Sequence, residues 1–187
     1  MTAEFLRDPP LEPGIAQAAY AEALRRLDSA SGHQRLGLLG KLGTLARGLR
    51  DYDAANRHFR AAIAMAEYLA DPVRITANQV RLGVVLHHSG ELEAAIACFE
   101  AVLAVPDQGY HDFAWQHLGK LWVELGRDAE ASACFSQALA LRQAKGDQSL
   151  LASTTQAIDE HAQWRQNRAE VNQEAASGDV PVQRKKS

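Results

Sequence analysis

The sequence has few of the residues that build β-strands and large aromatic cores. Aromatic side chains make up only 6 % of its 187 residues, and runs rich in Val, Ile and Thr are missing. Such runs are typical of strands. The apolar fraction of 47 % is dominated by Ala and Leu, which are strong helix formers. The composition therefore predicts an all-helical protein built as one domain.

Three further absences narrow the function. The sequence has no apolar run of about 18 residues, which a membrane-spanning helix needs. The first ten residues contain acids and prolines where a signal peptide needs a basic and then an apolar stretch. The net charge of −3 lacks the basic excess of proteins that bind nucleic acid in bulk. We therefore expect a cytoplasmic protein that binds neither a membrane nor nucleic acid.

Signatures of catalysis and of metal binding are also missing from the sequence. No phosphate-binding glycine loop, nucleophile elbow or His-Glu-x2-His motif occurs. Four histidines, His87, His88, His111 and His117, lack the spacing of metal ligands, and adjacent histidines on a helix point about 100° apart. We therefore predict no enzyme, no cofactor and no metal site.

The main positive signal is a pattern that recurs three times. Each copy has a Leu-Gly pair, an Ala twelve residues after the Gly and a Phe sixteen residues after it. The three copies are Leu42, Gly43, Ala55, Phe59; Leu82, Gly83, Ala95, Phe99; and Leu118, Gly119, Ala131, Phe135. A repeat of this length predicts a stack of similar supersecondary units.

The spacing within each copy predicts two helices joined by a turn. The Leu-Gly pair lies on the first helix, and Ala-x3-Phe falls on one face of the second. Gly90 and Gly126 mark the turn in two copies, and Arg50 takes that place in the first. The small residues are expected to let the two helices approach closely, and the phenylalanines to fill the space between pairs.

The pattern resembles the tetratricopeptide repeat. The third copy carries Trp115, Leu118, Gly119, Trp122, Ala131, Phe135 and Ala138 at the family's positions. The period of 36–40 residues is similar to that of longer-period bacterial repeats. The resemblance implies a right-handed α-α superhelix of about three helix pairs plus flanking helices. It also implies a protein-interaction scaffold.

The chain divides into three predicted parts. Residues 1–14 form an extended arm, residues 15–168 the repeat domain, and residues 169–187 a polar, disordered tail, unless the last helix runs longer. The predicted helix pairs occupy 33–67, 73–105 and 111–144, after a lone second helix at 15–28. A last helix at 148–168 has Asp159 in place of the glycine, as expected for a polar cap.

In the family, ligands bind a concave face lined by the first helices. The inward positions that we predict for this groove are Lys41, Thr44, Arg47, Arg81, Val84, His87, Phe113, His117 and Lys120. Cations outnumber acids among the inward positions, so the groove favours an acidic peptide or helical segment of another protein. The family's carboxylate clamp for chaperone tails is not implied, because Gly40 and Phe113 occupy two of its positions.

Alternatives to the groove remain open. The terminal helices could pair with a second copy to give a homodimer, or a deep apolar pocket could make the protein a sensor of a small ligand or signalling peptide. Trp164 either forms an exposed contact surface or closes the end of the core. Cys98 and Cys134 occupy equivalent positions in neighbouring repeats, too far apart for a disulfide, and are expected to be small buried thiols.

Overall fold

The computed structural model describes residues 11–177, and every regular element in this range is a helix. A short 3₁₀ turn, Gln108–Tyr110, precedes the sixth α-helix. The α-helices are α1 (Pro13–Leu27), α2 (Gly32–Gly48), α3 (Tyr52–Tyr68), α4 (Pro72–Ser89), α5 (Leu92–Leu103), α6 (His111–Glu124), α7 (Asp128–Lys145) and α8 (Gln148–Ser177). The predicted all-helical class is confirmed. Within the same range no helix is both long and apolar enough to cross a bilayer.

The three predicted helix pairs correspond to α2–α3, α4–α5 and α6–α7. Two of the connecting turns end in aspartates that cap the next helix. The carboxylate of Asp51 accepts from the backbone N–H of Ala54 at 2.9 Å, and that of Asp71 accepts from Arg74 at 3.0 Å. Capping of this kind stabilises the start of a helix by about 1 kcal/mol.

Helix α1 begins two residues before the predicted 15. Pro13 fits the first helical position, and the carboxylate of Glu12 accepts from the backbone N–H of Gly14 and Ile15. These two hydrogen bonds lower the pKa of Glu12. Residues 13 and 14 therefore belong to the helix, and residues 1–10 of the predicted arm lie outside the described range.

The glycines of the repeat make room for an aromatic ring. A Cβ atom on Gly43 would lie 2.7 Å from the ring of Phe59, and one on Gly83 or Gly119 would lie 2.6 Å from the ring of Phe99 or Phe135. The three phenylalanines are at most 1 % exposed. Each ring thus occupies, within its own pair, the space that a side chain at the glycine would fill. The sequence pattern had predicted that the backbone of the second helix would approach the glycine there.

Two of these rings also reach the next helix of the stack. Phe99 stacks on His117 of α6 with ring centroids 5.9 Å apart, and Phe135 lies 6.0 Å from His161 of α8. One side chain therefore connects the two helices of its pair and the first helix of the next. This arrangement agrees with the expectation that the phenylalanines fill the space between pairs.

The first helices of successive pairs form a continuous wall. Helix α4 contacts both α2 and α6, and α6 contacts α8, whereas the second helices α3, α5 and α7 have fewer direct contacts with one another. A stack whose elements are closer on one side curves toward that side. The side lined by α2, α4 and α6 is therefore the concave one.

Two of the turns use a left-handed backbone without glycine. Arg50 has φ +62° and Ala70 has φ +51°. Gly90 and Gly126 occupy the bend equivalent to that of Arg50 in the later pairs, and Gly146 occupies the bend equivalent to that of Ala70. A side chain in this conformation costs about 1–2 kcal/mol. The guanidinium of Arg50 donates to the hydroxyl of Tyr52 at 2.8 Å, a contact that partly offsets the strain.

A buried polar network joins the last three helices and was not foreseen from the sequence. Arg142 of α7 is 2 % exposed, and its Nε donates to the fully buried carboxylate of Asp112 on α6 at 2.9 Å. Arg142 also donates to Thr154 and to the carbonyl of Leu150 on α8, and to Gln116 on α6. Nε and Nη1 of Arg142 and both carboxylate oxygens of Asp112 therefore have partners, and a buried ion pair requires such pairing.

Helix α8 acts as the predicted cap but runs further than predicted. It continues to Ser177, so residues 169–177 are helical and the predicted tail begins too early. Its sequence in this stretch is rich in Ala, Glu and Gln, which favour helix. Residues 178–187 lie outside the described range. Asp159, in place of the repeat glycine, is exposed.

The cap is held by charges and by one aromatic side chain. Asp128 at the start of α7 lies 3.0 Å from Nε2 of His161 and accepts from Arg168 at 3.0 Å. Trp164 is half-buried and packs against the apolar cluster around Val123 and Phe135. Of the two alternatives for Trp164, the structure therefore favours closure of the core end.

The contact between the ring of Phe99 and Gly83 predicts that a side chain added at position 83 destabilises the fold. Overpacking a filled core costs about 1–3 kcal/mol, which outweighs the helix propensity of about 1 kcal/mol that Ala gains over Gly. We expect Gly83→Ala to lower the free energy of unfolding measured by urea denaturation. Gly37→Ala is the matched control, since no atom lies within 4 Å of its added Cβ, and it should stabilise the protein. Equal stability of the two variants would contradict the contact.

The buried network predicts a second loss of stability. Asp112→Asn keeps the shape of the side chain but leaves Arg142 without its counter-charge, so unfolding should become easier by about 3–5 kcal/mol. Glu130→Gln makes the same chemical change in an exposed pair with Arg127 and should leave the denaturation midpoint nearly unchanged. A midpoint for Asp112→Asn equal to that of Glu130→Gln would show that the network adds no stability.

Candidate functional site

The concave wall contains two neighbouring depressions. The first, which we call the cationic depression, lies between α2 and α4 and has a volume of about 180 Å³. Its floor on α2 is open because Gly37 and Gly40 carry no side chains there. The depression is lined by Leu36, Gly37, Gly40, Lys41, Thr44, Arg74, Asn78 and Arg81.

The second depression lies between α4 and α6 and is more apolar. We call it the apolar depression; its volume is about 210 Å³. Val80 and Val84 are 5 % and 4 % exposed and form its floor, and Phe113 is half-buried. The depression is lined by Arg47, Ala77, Val80, Arg81, Val84, Tyr110, Phe113 and His117. Arg81 is common to both depressions and stands on the ridge between them.

Several positively charged side chains lie near Arg81. Its Nη1 donates to Oδ1 of the buried Asn78 at 3.3 Å, which holds the guanidinium over the groove. Desolvation lowers the pKa of Arg81; Tyr110 opposes this shift, and the nearby cations Arg74 and Arg47 add to it. Arg81 remains charged at any physiological pH. An anionic group bound here would relieve the repulsion among these cations.

Among the described residues, neither depression has an acidic side chain in its lining. The groove therefore presents cationic side chains next to an apolar surface. Side chains of this kind bind and orient a ligand by charge and by contact area.

Seven of the predicted groove residues line these depressions. Lys41 and Thr44 are exposed on the cationic depression, and Thr44 donates its hydroxyl proton to the carbonyl of Gly40 at 3.0 Å. The remaining five belong to the apolar depression, which Arg81 shares with the cationic one: Arg47, Arg81, Val84, Phe113 and His117. The structure thus brings together most of the set that the sequence predicted.

Two predicted groove residues lie elsewhere. His87 is only 2 % exposed and lies between α4 and α6, with Nε2 3.2 Å from Oε2 of Glu124 and no hydrogen bond of good geometry. Its assignment to the groove surface is therefore wrong, because the neighbouring helix covers that position. Lys120 is half-buried on α6, one turn beyond His117 and outside both depressions.

Three polar lining residues were not predicted from the sequence. Arg74 lies in the first turn of α4, before the register from which inward positions were counted. Asn78 is buried and donates to the carbonyl of Arg74 at 2.8 Å. Tyr110 belongs to the 3₁₀ turn before α6, where the sequence indicated only a break between pairs. The sequence feature that could have identified Tyr110 is its place as an aromatic residue directly before a first helix.

The remaining histidines and acids do not gather into a metal site within residues 11–177. No group of three or more His, Cys, Asp or Glu side chains there is arranged to hold an ion. The Nε2 N–H of His111 donates to the carbonyl of Val105 at 3.0 Å. This hydrogen bond joins the start of α6 to the loop after α5, and His111 is 9 % exposed.

A second surface lies on the cap helix. Trp164, Asn167, Arg168 and Val171 are spaced along one face of α8 and line an apolar cavity of about 280 Å³. Val171 is 62 % exposed, and the guanidinium of Arg168 lies 4.4 Å from the ring of Trp164. This face is the second place on the described chain where an apolar partner could bind.

Comparison with known families identifies the helix pairs. The family described as Tetratricopeptide repeat matches residues 78–106 and 114–145. The two spans cover most of α4–α5 and α6–α7. In both pairs a glycine of the first helix contacts an aromatic ring of the second helix. A search of curated proteins finds no match to the chain. Residues 78–106 and 114–145 are therefore two tetratricopeptide repeats, and repeats of this family generally mediate protein–protein interactions and typically act as non-enzymatic scaffolds.

The two cysteines are both free thiols. Burial raises the pKa of Cys98, and it raises the pKa of Cys134 to about 11, with a smaller opposing effect of Trp122. The thiolate is the reactive form, so the folded chain should react slowly with iodoacetamide at pH 8. The rate should rise strongly when urea exposes both thiols. Fast labelling of Cys134 in the folded chain would contradict its burial.

Proposed function

We propose that this protein binds an acidic peptide or helical segment of another protein in its concave groove. The observation that carries the proposal is the pair of adjacent depressions that share Arg81 and have no acidic lining among the described residues. Acidic residues of the partner would pair with Lys41, Arg74 and Arg81. An apolar residue next to them would fill the space above Val80 and Val84.

The size of the apolar depression favours a side chain over a whole small ligand. Small-molecule sites commonly enclose about 300–1,000 Å³, whereas this depression has about 210 Å³ and opens onto the groove. A single Leu or Phe side chain suits that volume. The sensor alternative is therefore less well supported than a peptide whose side chains enter the two depressions in turn.

The charged lining sets the expected character of the interaction. Guanidinium groups pair with carboxylates through two parallel hydrogen bonds, and opposite charges accelerate encounter at low salt. We expect affinity to fall as ionic strength rises, because the cations at the groove rim are solvent-accessible. A cytoplasmic location is part of the same proposal.

Self-association is a second candidate, supported by the exposed face of α8. An isologous contact would bring the Trp164–Val171 face of one copy against the same face of another. The exposed side chain of Val171 and the apolar cavity beside it supply the surface for such a contact. Substitution of Val171 by Asp would disrupt this dimer and leave the groove unaltered.

The groove proposal is tested by charge reversal. We expect Arg74→Glu/Arg81→Glu to abolish capture of the partner from native cell extract, because two attractive charges of the cationic depression become repulsive toward an acidic segment. Bound proteins are identified by mass spectrometry and their affinity is measured with the purified partner. A loss of at least 100-fold, on the order of 3 kcal/mol, is the expected result.

A matched control carries the same change in net charge on the opposite face. Arg57 and Arg60 are exposed on α3, a second helix, so Arg57→Glu/Arg60→Glu should retain the partner. If both double variants bind as the wild type does, the groove is not the binding surface and the α8 face becomes the candidate. If both lose binding, net charge rather than the groove controls capture.

A further inference from the structure

The cationic depression is formed by one face of α2 and one face of α4. Most of its lining residues are spaced by three or four positions along their helix, which places their side chains on one face. The α4 face carries Arg74, Asn78 and Arg81, and the α2 face carries Lys41 and Thr44 beside two glycines. Cationic and neutral polar side chains from two helices therefore border one space.

Asn78 is the buried centre of this arrangement. It is 2 % exposed, and its amide nitrogen donates to the carbonyl of Arg74 at 2.8 Å. Its Oδ1 accepts from Nη1 of Arg81 at 3.3 Å. A buried polar group whose nitrogen and oxygen both have partners is held rigidly, so Asn78 fixes the guanidinium of Arg81 at the depression.

The α2 face leaves this guanidinium open because Gly40 has no side chain. A Cβ atom at position 40 would lie 3.3 Å from Oδ1 of Asn78 and 4.0 Å from Nη1 of Arg81. A longer side chain at this position would start beside the guanidinium and fill part of the depression. The hydroxyl proton of Thr44 is used by the carbonyl of Gly40, so the donors left for a ligand are mainly those of the cations.

No carboxylate of the described chain neutralises the depression. The ion pairs of residues 11–177 use other side chains, and none includes Lys41, Arg74 or Arg81. Three positive charges therefore border a space with no acidic lining in this part of the chain.

Two acidic residues on adjoining segments are engaged elsewhere. The hydrogen bond from Arg25 is the main cause that lowers the pKa of Glu22, and Lys41 adds the weakest of the attractions. Asp71 caps α4, with Oδ1 3.0 Å from a backbone N–H of the first turn and Oδ2 3.7 Å from Nδ1 of His33. Neither acid lines the depression.

We propose that the cationic depression binds a phosphomonoester group, presented as a phosphorylated serine or threonine of the partner segment. The inference rests on the function proposed above and specifies which acidic group the groove selects. A phosphorylated side chain carries a charge of about −1.5 to −2 at pH 7 and three acceptor oxygens. A carboxylate carries one charge and two oxygens. The phosphate therefore offsets more of the charge of Lys41, Arg74 and Arg81, and it can accept from both guanidinium groups at once.

The apolar depression fixes where an apolar residue of the same segment falls. Arg81 lines both depressions, which lie on the two sides of α4, and packed helices are about 8–10 Å apart. An extended segment advances about 3.3 Å per residue. We therefore expect Leu or Phe two or three positions from the phosphorylated residue.

The preference is tested on the full chain with three peptide libraries that differ at one fixed position. This position holds phosphoserine, Glu or Ser, and the flanking residues are random. We expect the phosphoserine library to bind about tenfold more tightly than the Glu library, because the phosphate accepts additional charge-assisted hydrogen bonds. Peptides recovered from it should carry the apolar residue at the expected distance.

Two variants separate hydrogen-bond geometry from charge. Arg81→Lys keeps the charge but loses the planar fork that matches a phosphate, so it should lower the preference for phosphoserine over Glu severalfold. Arg57→Lys makes the same change on α3, on the opposite face, and should leave the preference unaltered. The preference should also weaken as the pH falls from about 7.5 to about 5, because phosphoserine binds its second proton with a pKa of about 6, whereas the pKa of Glu is about 4.3.

The outcomes distinguish this inference from the proposed function. Equal affinity for the phosphoserine and Glu libraries, lost in Arg74→Glu/Arg81→Glu, would overturn the inference and leave the proposed function in place. Inorganic phosphate or a single-stranded oligonucleotide that competes as well as the phosphoserine peptides would also overturn it, since the site would then serve a free anion or a phosphodiester. Phosphoserine binding that depends on Arg74 and Arg81, without any protein captured through the groove, would count against the proposed function alone.

Discussion

The structure depends on one contact, in which an aromatic ring occupies the space of a missing side chain. Phe59, Phe99 and Phe135 each lie on the glycine sixteen residues earlier, at distances that no Cβ atom would permit. Because Phe99 and Phe135 also face the following helix, the contact joins these pairs to their successors. The concave wall and its two depressions follow from this regular placement, since they are formed by side chains of α2, α4 and α6. The proposed binding surface is thus a consequence of how the core is packed.

The fold was largely predictable because its determinants are local in sequence. The Leu-Gly pair and the Ala-x3-Phe motif lie within one repeat, so their spacing alone gave the helix pairs and their approximate bounds. The groove was predictable to a lesser extent. Lys41, Arg81 and Phe113 could be assigned from register, but Arg74 required knowledge of where α4 begins. His87 was misassigned because a neighbouring helix decides whether an inward position remains at the surface.

The buried network around Arg142 illustrates what a register argument omits. Ala131, Phe135, Ala138 and Arg142 follow one another on the same buried face of α7, so a charged residue on that face was visible in the sequence. Its partners were not, because Asp112 lies thirty residues earlier and Thr154 twelve residues later. A buried guanidinium is tolerated only where such partners converge. Pairings of this range depend on how three helices dock, and no repeat period encodes them.

The first and last helices of the stack are held by different kinds of contact, which makes the two ends of the molecule unequal. At the first end, α1 docks through the small residues Ala16 and Ala23 and the hydroxyl of Tyr20, which lies 2.7 Å from Nε2 of His58. At the other end, one guanidinium connects α6, α7 and α8. In a linear array each unit is stabilised by its neighbours, so fraying should begin at α1 and progress toward α6. An unfoldase or processive protease should therefore unfold the stack more easily from α1 than from α8.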